Sequence, residues 1–356
     1  MTYEEIAKLL DQEAKYLLAH RCDLLTKDLI YQVNPNQIRE VFSQSNRSSQ
    51  LIENLEKIYG HGRLANTGYL SILPVDQDIE HNANFSFYKN PLYFDPENII
   101  RLALEAQSSA IASTFGALAL FSKKYADKIP FIVKINHNEL LTFPNKWDQI
   151  IFAQVKQAYE LGAVAIGATI YFGSAESNRQ ITEISQAFDE AHRLGMATIL
   201  WCYPRNSAWK SKEADYNSSA DITSQANHLG VTIGADIIKQ KMPNIDGAYR
   251  QFKFAKYNDE MYESLSTENP IDMLRLQVIN CYAGKIPLLN SGGESDAEGD
   301  FDKDLRAAVK SAVINKRAGG AGLILGRKAF KRTMQEGVRL LQAVQDVYLN
   351  EQITIA

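Results

Sequence analysis

The pattern of hydrophobic positions along this chain changes near residue 68. Before that point apolar residues recur at helical spacing: Ile6, Leu9 and Leu10, then Leu17 and Leu18, then Leu51, Leu55 and Ile58. That spacing lines one face of a helix, and Tyr59-Gly60-His61-Gly62 ends it. From Tyr69 onward short apolar runs alternate with longer amphipathic segments. Tyr69–Val75, Ser109–Thr114 and Phe131–Ile135 have the length of strands, with helices expected around 97–107 and 116–126. Three later units share one device: Leu161-Gly162-Ala163, Leu194-Gly195-Met196 and Ile233-Gly234-Ala235 each stop a helix on glycine and open an apolar run at once. The helices before the first two carry Ile151, Val155 and Ala158, and Ile181, Ile184, Phe188 and Ala191. The runs after the three glycines are Val164–Thr169, Thr198–Cys202 and Ala235–Met242. Ile286–Asn290 and Gly322–Gly326 complete the strands, separated by a helix bearing Leu305, Val309, Ala312 and Val313 and followed by one bearing Met334, Val338, Leu341, Val344 and Tyr348.

Strands alternating with helices make parallel pairs through right-handed crossovers, and eight such units predict a TIM (β/α)8 barrel. Residues 1–68 then read as an N-terminal helical extension that covers a barrel end or forms a subunit contact, and residues 69–356 as the barrel. An open doubly wound sheet is the alternative. Such sheets usually carry a glycine fingerprint at the first turn after a strand, and Asp76-Gln77-Asp78 is none.

A barrel of this kind does its chemistry at the C-terminal ends of its strands. Those ends deliver Asp76, Lys134 with Asn136, Trp201 with Tyr203, Lys239 with Lys241, Ser291-Gly292-Gly293 and Gly326-Arg327. Lys239 and Lys241 alternate onto the same side of an otherwise apolar strand. Burial and a neighbouring like charge both disfavour the ammonium form, which leaves a nucleophilic amine near neutral pH. Taken alone, a structural lysine paired with Asp76 or Asp236 accounts for Lys239 equally well. Two glycine loops at adjacent strand ends, one with Arg327, suit a phosphate held by backbone N–H groups and a guanidinium. Tyr203, at the rim, is placed to donate a proton, and Trp201 suits either barrel packing or the site.

Composition narrows the partners. A net charge of -4 in 356 residues gives no footprint for nucleic acid, and the chain has no run of 18 apolar residues, so no membrane span is expected. Cys22, Cys202 and Cys281 are odd in number and widely spaced, which suits reduced thiols, and the acidic amphipathic start argues for the cytoplasm. The six histidines show no paired ligand spacing, so no metal is expected, and His192 reads as an ordinary surface helix residue.

Leu73-Pro74-Val75-Asp76-Gln77, Val133-Lys134-Ile135-Asn136-His137-Asn138-Glu139, Gly167–Ser174, Gly234–Met242 and Gly319–Phe330 together resemble the bacterial branch of the archaeal-type class I fructose-bisphosphate aldolases, essentially over the whole chain. The resemblance implies Lys239 as the Schiff-base lysine, Tyr203 as the acid/base, Trp201 as its aromatic neighbour and Asp76 as the carboxylate at the first strand. It also implies Ser291, Gly292, Gly293, Gly326 and Arg327 as a phosphate site, no cofactor, and assembly into homo-oligomers, often decamers. The expected substrate is a phosphorylated sugar, fructose 1,6-bisphosphate, with Lys134 and Lys241 as candidates for its second phosphate. Lys241 could instead serve to depress the pKa of Lys239. Another lysine-dependent ketose-phosphate aldolase, a transaldol synthase, an acetyltransferase or a sugar-phosphate-binding scaffold are the competing readings.

Overall fold

The computed structural model describes residues 1–76, 80–212, 214–295 and 299–356. Eight parallel strands close into a barrel: β1 Leu70–Val75, β2 Ala110–Thr114, β3 Phe131–Lys134, β4 Ala165–Phe172, β5 Ala197–Pro204, β6 Ile237–Gln240, β7 Leu288–Ser291 and β8 Gly322–Ile324. Every pair along the ring is parallel and β8 pairs back onto β1, so the open-sheet alternative is excluded.

The strands read as unbroken apolar runs because both faces are buried. Leu73, Val133, Ile166, Leu200 and Ile238 face outward into the core shared with the surrounding helices. Ile72, Ala112, Ile132, Ala165, Ile199, Ile237, Leu289 and Ile324 fill the barrel itself. The same interior cluster contains Ile38, Phe42, Leu51, Leu55 and Ile58 from the N-terminal segment. The helix Ser49–Tyr59, capped by Ser48 Oγ accepting from the Leu51 N–H at 3.3 Å, thus closes the N-terminal end of the barrel. The helices Tyr3–Leu10 and Ala14–Leu18 pack on the outer helix Phe301–Ala318. With one end plugged, a ligand has access only from the other.

Gly162, Gly195 and Gly234 take φ of 90°, 72° and 94°. That left-handed turn ends each helix and lets the next strand begin within a few residues. Two expectations need correction. Ile151 does not lie on a helix; it ends Gln149–Ile151, which pairs antiparallel with Asn136–Asn138, and the helix starts only at Val155. Its apolar spacing with Val155 and Ala158 mimicked a helix although Ile151 is 42 % exposed. Strands β4 and β5 run on to Phe172 and Pro204, past their expected ends, because each is the other's partner along the full length. Gln77 and Asp78 lie outside the described residues. No helix among the described residues is long and apolar enough to cross a membrane.

Candidate active site

Strand alternation decides which side chains reach the open end. On β5, Trp201 and Tyr203 point inward, and Arg205 continues the same face; on β6, Lys239 and then Lys241 do so; on β4, Gly167, Thr169 and Tyr171. The register puts Trp201 beside Lys239 and Tyr171 beside Tyr203. Gly167 is required in this layer. A Cβ there would lie 2.8 Å from the Trp201 ring and 3.2 Å from Lys134 Cδ, so any other residue would push the indole or Lys134 out of place.

These residues wall a cavity of about 790 Å³ that also takes in Asp76, Ser291, Gly292, Gly293, Gly326 and Arg327. Of the residues expected at the strand ends, Lys134 and Asn136 are not on its wall. Lys134 lies fully buried beneath, with its ammonium 3.4 Å from Asp76 Oδ2, 3.2 Å from the Asn136 carbonyl and 5.1 Å from the Trp201 ring centre. A phosphate in the cavity would not reach it without displacing Asp76. A larger groove of about 1040 Å³ runs between the helix Tyr3–Leu10 and two outer helices, but mixed surface charges line it and none of the strand ends does.

Lys239 is 5 % exposed. Its ammonium nitrogen donates to the Tyr203 hydroxyl and lies 4.7 Å from the Tyr203 ring centre and 5.4 Å from that of Trp201. Among the described residues it makes no ion pair: Asp76 goes to Lys134, and Asp236 is engaged at the far end of β6. Burial lowers its pKa to about 7, with Asp76 opposing and Lys134 and Arg327 adding to the drop. Burial also works to raise the Asp76 carboxyl, but Lys134, His137 and Lys239 together hold it below the usual carboxylate range. Tyr203 Oη sits 3.0 Å from Ser291 Oγ, and burial pushes its pKa up to about 12. An amine half-neutral near pH 7 is thus in contact with a phenol that stays protonated, beside a carboxylate that stays charged. That trio can add an amine to a carbonyl and move protons about the adduct.

The cavity has two cationic ends. At one, Arg327 and the loop Ser291-Gly292-Gly293 face Gly326 across β7 and β8. At the other, the Arg205 guanidinium lies 5.3 Å from the ring centres of both Trp147 and Tyr171 and 5.7 Å from that of Tyr203. Its buried Nε–H has no partner among the described residues. Lys241 stands beside it, 5.7 Å from the Tyr203 ring, its pKa lowered to about 8 by burial first and then by Arg205 and Lys239.

Arg205, Tyr171, Trp147 and Glu80 were not foreseen as site residues. The alternation that picked out Trp201 and Tyr203 extends to Arg205, so that signal was available. Glu80 accepts from Tyr171 Oη at 3.1 Å and Gln149 Nε2 at 2.9 Å, contacts between distant segments that spacing along the chain does not reveal. His192 also differs from expectation: it is half-buried, with Nε2 3.1 Å from Asp236 Oδ2 and 3.2 Å from Thr198 Oγ1. Away from the cavity, His20, Cys22 and Asp272 come within 4.8 Å of one another although they lie far apart in sequence. Arg275 and Arg317 act on the same thiol, a setting that opposes a cation.

Residues 70–332 match the model of the DeoC/LacD family aldolases. The chain belongs to the DeoC/LacD aldolase family. Among its relatives, a probable fructose-bisphosphate aldolase class 1 of Chlamydia pneumoniae is 52% identical over 351 residues, 99% of each chain. A fructose-bisphosphate aldolase class 1 of Thermoproteus tenax is 28% identical over 269 residues, 75% of this chain and 86% of that one. Among solved structures, the fructose-bisphosphate aldolase of Slackia heliotrinireducens superposes with a TM-score of 0.68 at 21% identity, covering 86% of this chain and 90% of that one. An archaeal fructose 1,6-bisphosphate aldolase superposes at 0.65 and 24%, covering 84% and 100%. The family match begins at Leu70, the first residue of β1, whereas the Chlamydia relative also spans the helical segment before it.

Proposed function

We propose that this aldolase cleaves fructose 1,6-bisphosphate reversibly into dihydroxyacetone phosphate and glyceraldehyde 3-phosphate through a Schiff base on Lys239. The observation that carries the reading is a buried amine of pKa about 7 with a phenol in contact and, among the described residues, no ion pair. The neutral amine adds to the C2 ketone, and loss of water gives an iminium. The iminium takes up the electron pair of the C3–C4 bond as the C4 hydroxyl gives up its proton, which releases the aldehyde and leaves an enamine. Protonation at C3 and hydrolysis then return the amine. Tyr203, hydrogen-bonded to the nucleophile, carries these protons, and Asp76 keeps the iminium's positive charge favourable.

The two cationic ends favour a bisphosphate over a ketose with one phosphate. Ser291, Gly292, Gly293, Gly326 and Arg327 take the C1 phosphate next to the ketone. The buried Nε–H of Arg205, without a partner among the described residues, takes the C6 phosphate together with Lys241, and Lys134 is reassigned to holding Asp76 and depressing the Lys239 pKa. The Chlamydia relative supports the choice of substrate. We further propose a reducing, cytoplasmic setting, consistent with three buried free cysteines, and a homo-oligomer that covers Leu141 and Phe143, which are 88% and 94% exposed. A native mass equal to one chain would remove the oligomer.

Borohydride reduction in the presence of fructose 1,6-bisphosphate tests the central step. The expected result is a covalent adduct on the peptide that contains Lys239, together with cleavage of the bisphosphate. An adduct that persists in Lys239→Arg, or no cleavage above background, overturns the assignment.

A further inference from the structure

Arg327 is already occupied by a carboxylate. Glu294, the residue after the Ser291-Gly292-Gly293 loop, places Oε1 2.7 Å from Arg327 Nη1. The Glu294 side chain is 77% exposed, while Arg327 is 22% exposed, so the carboxylate approaches from the solvent side of the anion site. The pair also separates two spaces. Glu294, Arg327 and His81 line both the catalytic cavity and a side cavity of about 300 Å³. The side cavity is also lined by Phe85, Tyr88, Lys89 and Lys331. Lys331 Nζ lies 4.8 Å from the Phe85 ring centre. Among the described residues it makes no ion pair, and it shares the side cavity with Glu294, whose carboxylate already acts on it electrostatically.

We infer that Glu294 is a built-in phosphate surrogate with two stations. Without substrate it pairs with Arg327; when a phosphate dianion arrives, it gives up the guanidinium and swings into the side cavity toward Lys331. The inference rests on Arg327 as a phosphate ligand. A phosphate carries more charge than one carboxylate and also takes the loop N–H groups, so it can displace Glu294, whereas a monoanion cannot. The device therefore selects ligands with a phosphate at this end and makes the site weaker for phosphate than its parts would allow. It also keeps Arg327 from remaining an open anion trap between turnovers.

Titration calorimetry with inorganic phosphate on the full chain tests this without reference to turnover. An exposed pair contributes up to about 1 kcal/mol, so Glu294→Gln should tighten phosphate by about threefold to fivefold. Lys331→Met should weaken phosphate by about twofold in the parent chain and have no effect in the Glu294→Gln background, because the landing site matters only while a carboxylate must leave. Unchanged or weaker binding in Glu294→Gln means the carboxylate only orients Arg327 and overturns the inference. An equal Lys331→Met effect in both backgrounds overturns the second station. If the parent chain binds no phosphate and Arg327→Met changes nothing, it is the phosphate-site assignment that fails.

Discussion

The two ends of β6 hold one buried charge each, and their surroundings differ. At the lower end Asp236 accepts from Arg47 Nε at 2.7 Å, from the Thr198 N–H at 2.9 Å and from Thr198 Oγ1 at 3.0 Å, with His192 Nε2 at 3.1 Å. Arg47 also donates to the Gly234 carbonyl at 2.9 Å. This carboxylate has a partner for each oxygen and sits away from any opening, and it ties the N-terminal segment to the barrel floor. At the upper end Lys239 has a phenol, two aromatic faces and, among the described residues, no carboxylate in contact, and it opens into the cavity. A buried charge that is fully bonded holds structure together; one that is left short of partners is held ready for a ligand. The same strand thus carries a fastening at one end and a reagent at the other.

The sharpest way to break this comparison is to remove the reagent. Lys239→Met should abolish imine formation and lower bisphosphate cleavage by about ten-thousandfold or more, as loss of a covalent nucleophile does. It should leave thermal stability unchanged or higher, since it removes a buried amine that, among the described residues, forms no ion pair. A large fall in melting temperature would show that Lys239 is structural after all.

The mirror experiment removes the fastening. Arg47→Met leaves Asp236 buried without its guanidinium, which should cost about 3–5 kcal/mol, as breaking a buried pair does. Denaturant unfolding would read this as a lower midpoint with little change in slope. The folded fraction should cleave substrate at the parent rate, because Arg47 lies at the opposite end of the barrel from the cavity. A variant with normal stability, or with normal folding and a lost rate, would erase the distinction between the two ends.

Much of the barrel was legible because its strands are buried on both faces and its helices stop on glycine. Both are local signals, and the helix stops show in the positive φ angles of Gly162, Gly195 and Gly234. The core of the site was legible too, since alternation alone brings Trp201, Tyr203, Lys239 and Lys241 to the same end. What the sequence hid depended on contacts between distant segments. The Arg47–Asp236 pair spans 189 positions, and it drew His192 out of its expected place on the surface. Lys134 looked like a phosphate ligand because it stands at a strand end. Only the packing of Asp76 and Trp201 around it shows why it lies below the cavity.

The last distinction between the two ends lies in how Lys239 answers pH. Its pKa of about 7 makes the neutral amine the minority form below that pH, so trapping rates should fall about tenfold per unit as pH drops further. Tyr203, at about 12, stays protonated throughout and adds no second limb below that value. Lys134→Met should move the acid limb to higher pH, since it removes a cation that lowers the Lys239 pKa and frees Asp76, which raises it. Stability carries the same signature with a definite sign. Between about pH 7 and 10.5 the unfolded chain holds a proton on Lys239 that the folded chain has shed. Unfolding in that window therefore takes up a proton, and the folded state gains stability as pH rises. Lys239→Met lacks this gain, so any stability advantage it has near neutral pH should shrink as pH climbs toward 10.5. Paired denaturant curves at several pH values measure the difference, and parallel pH dependences would mean that the Lys239 amine is as easily protonated in the fold as in the open chain.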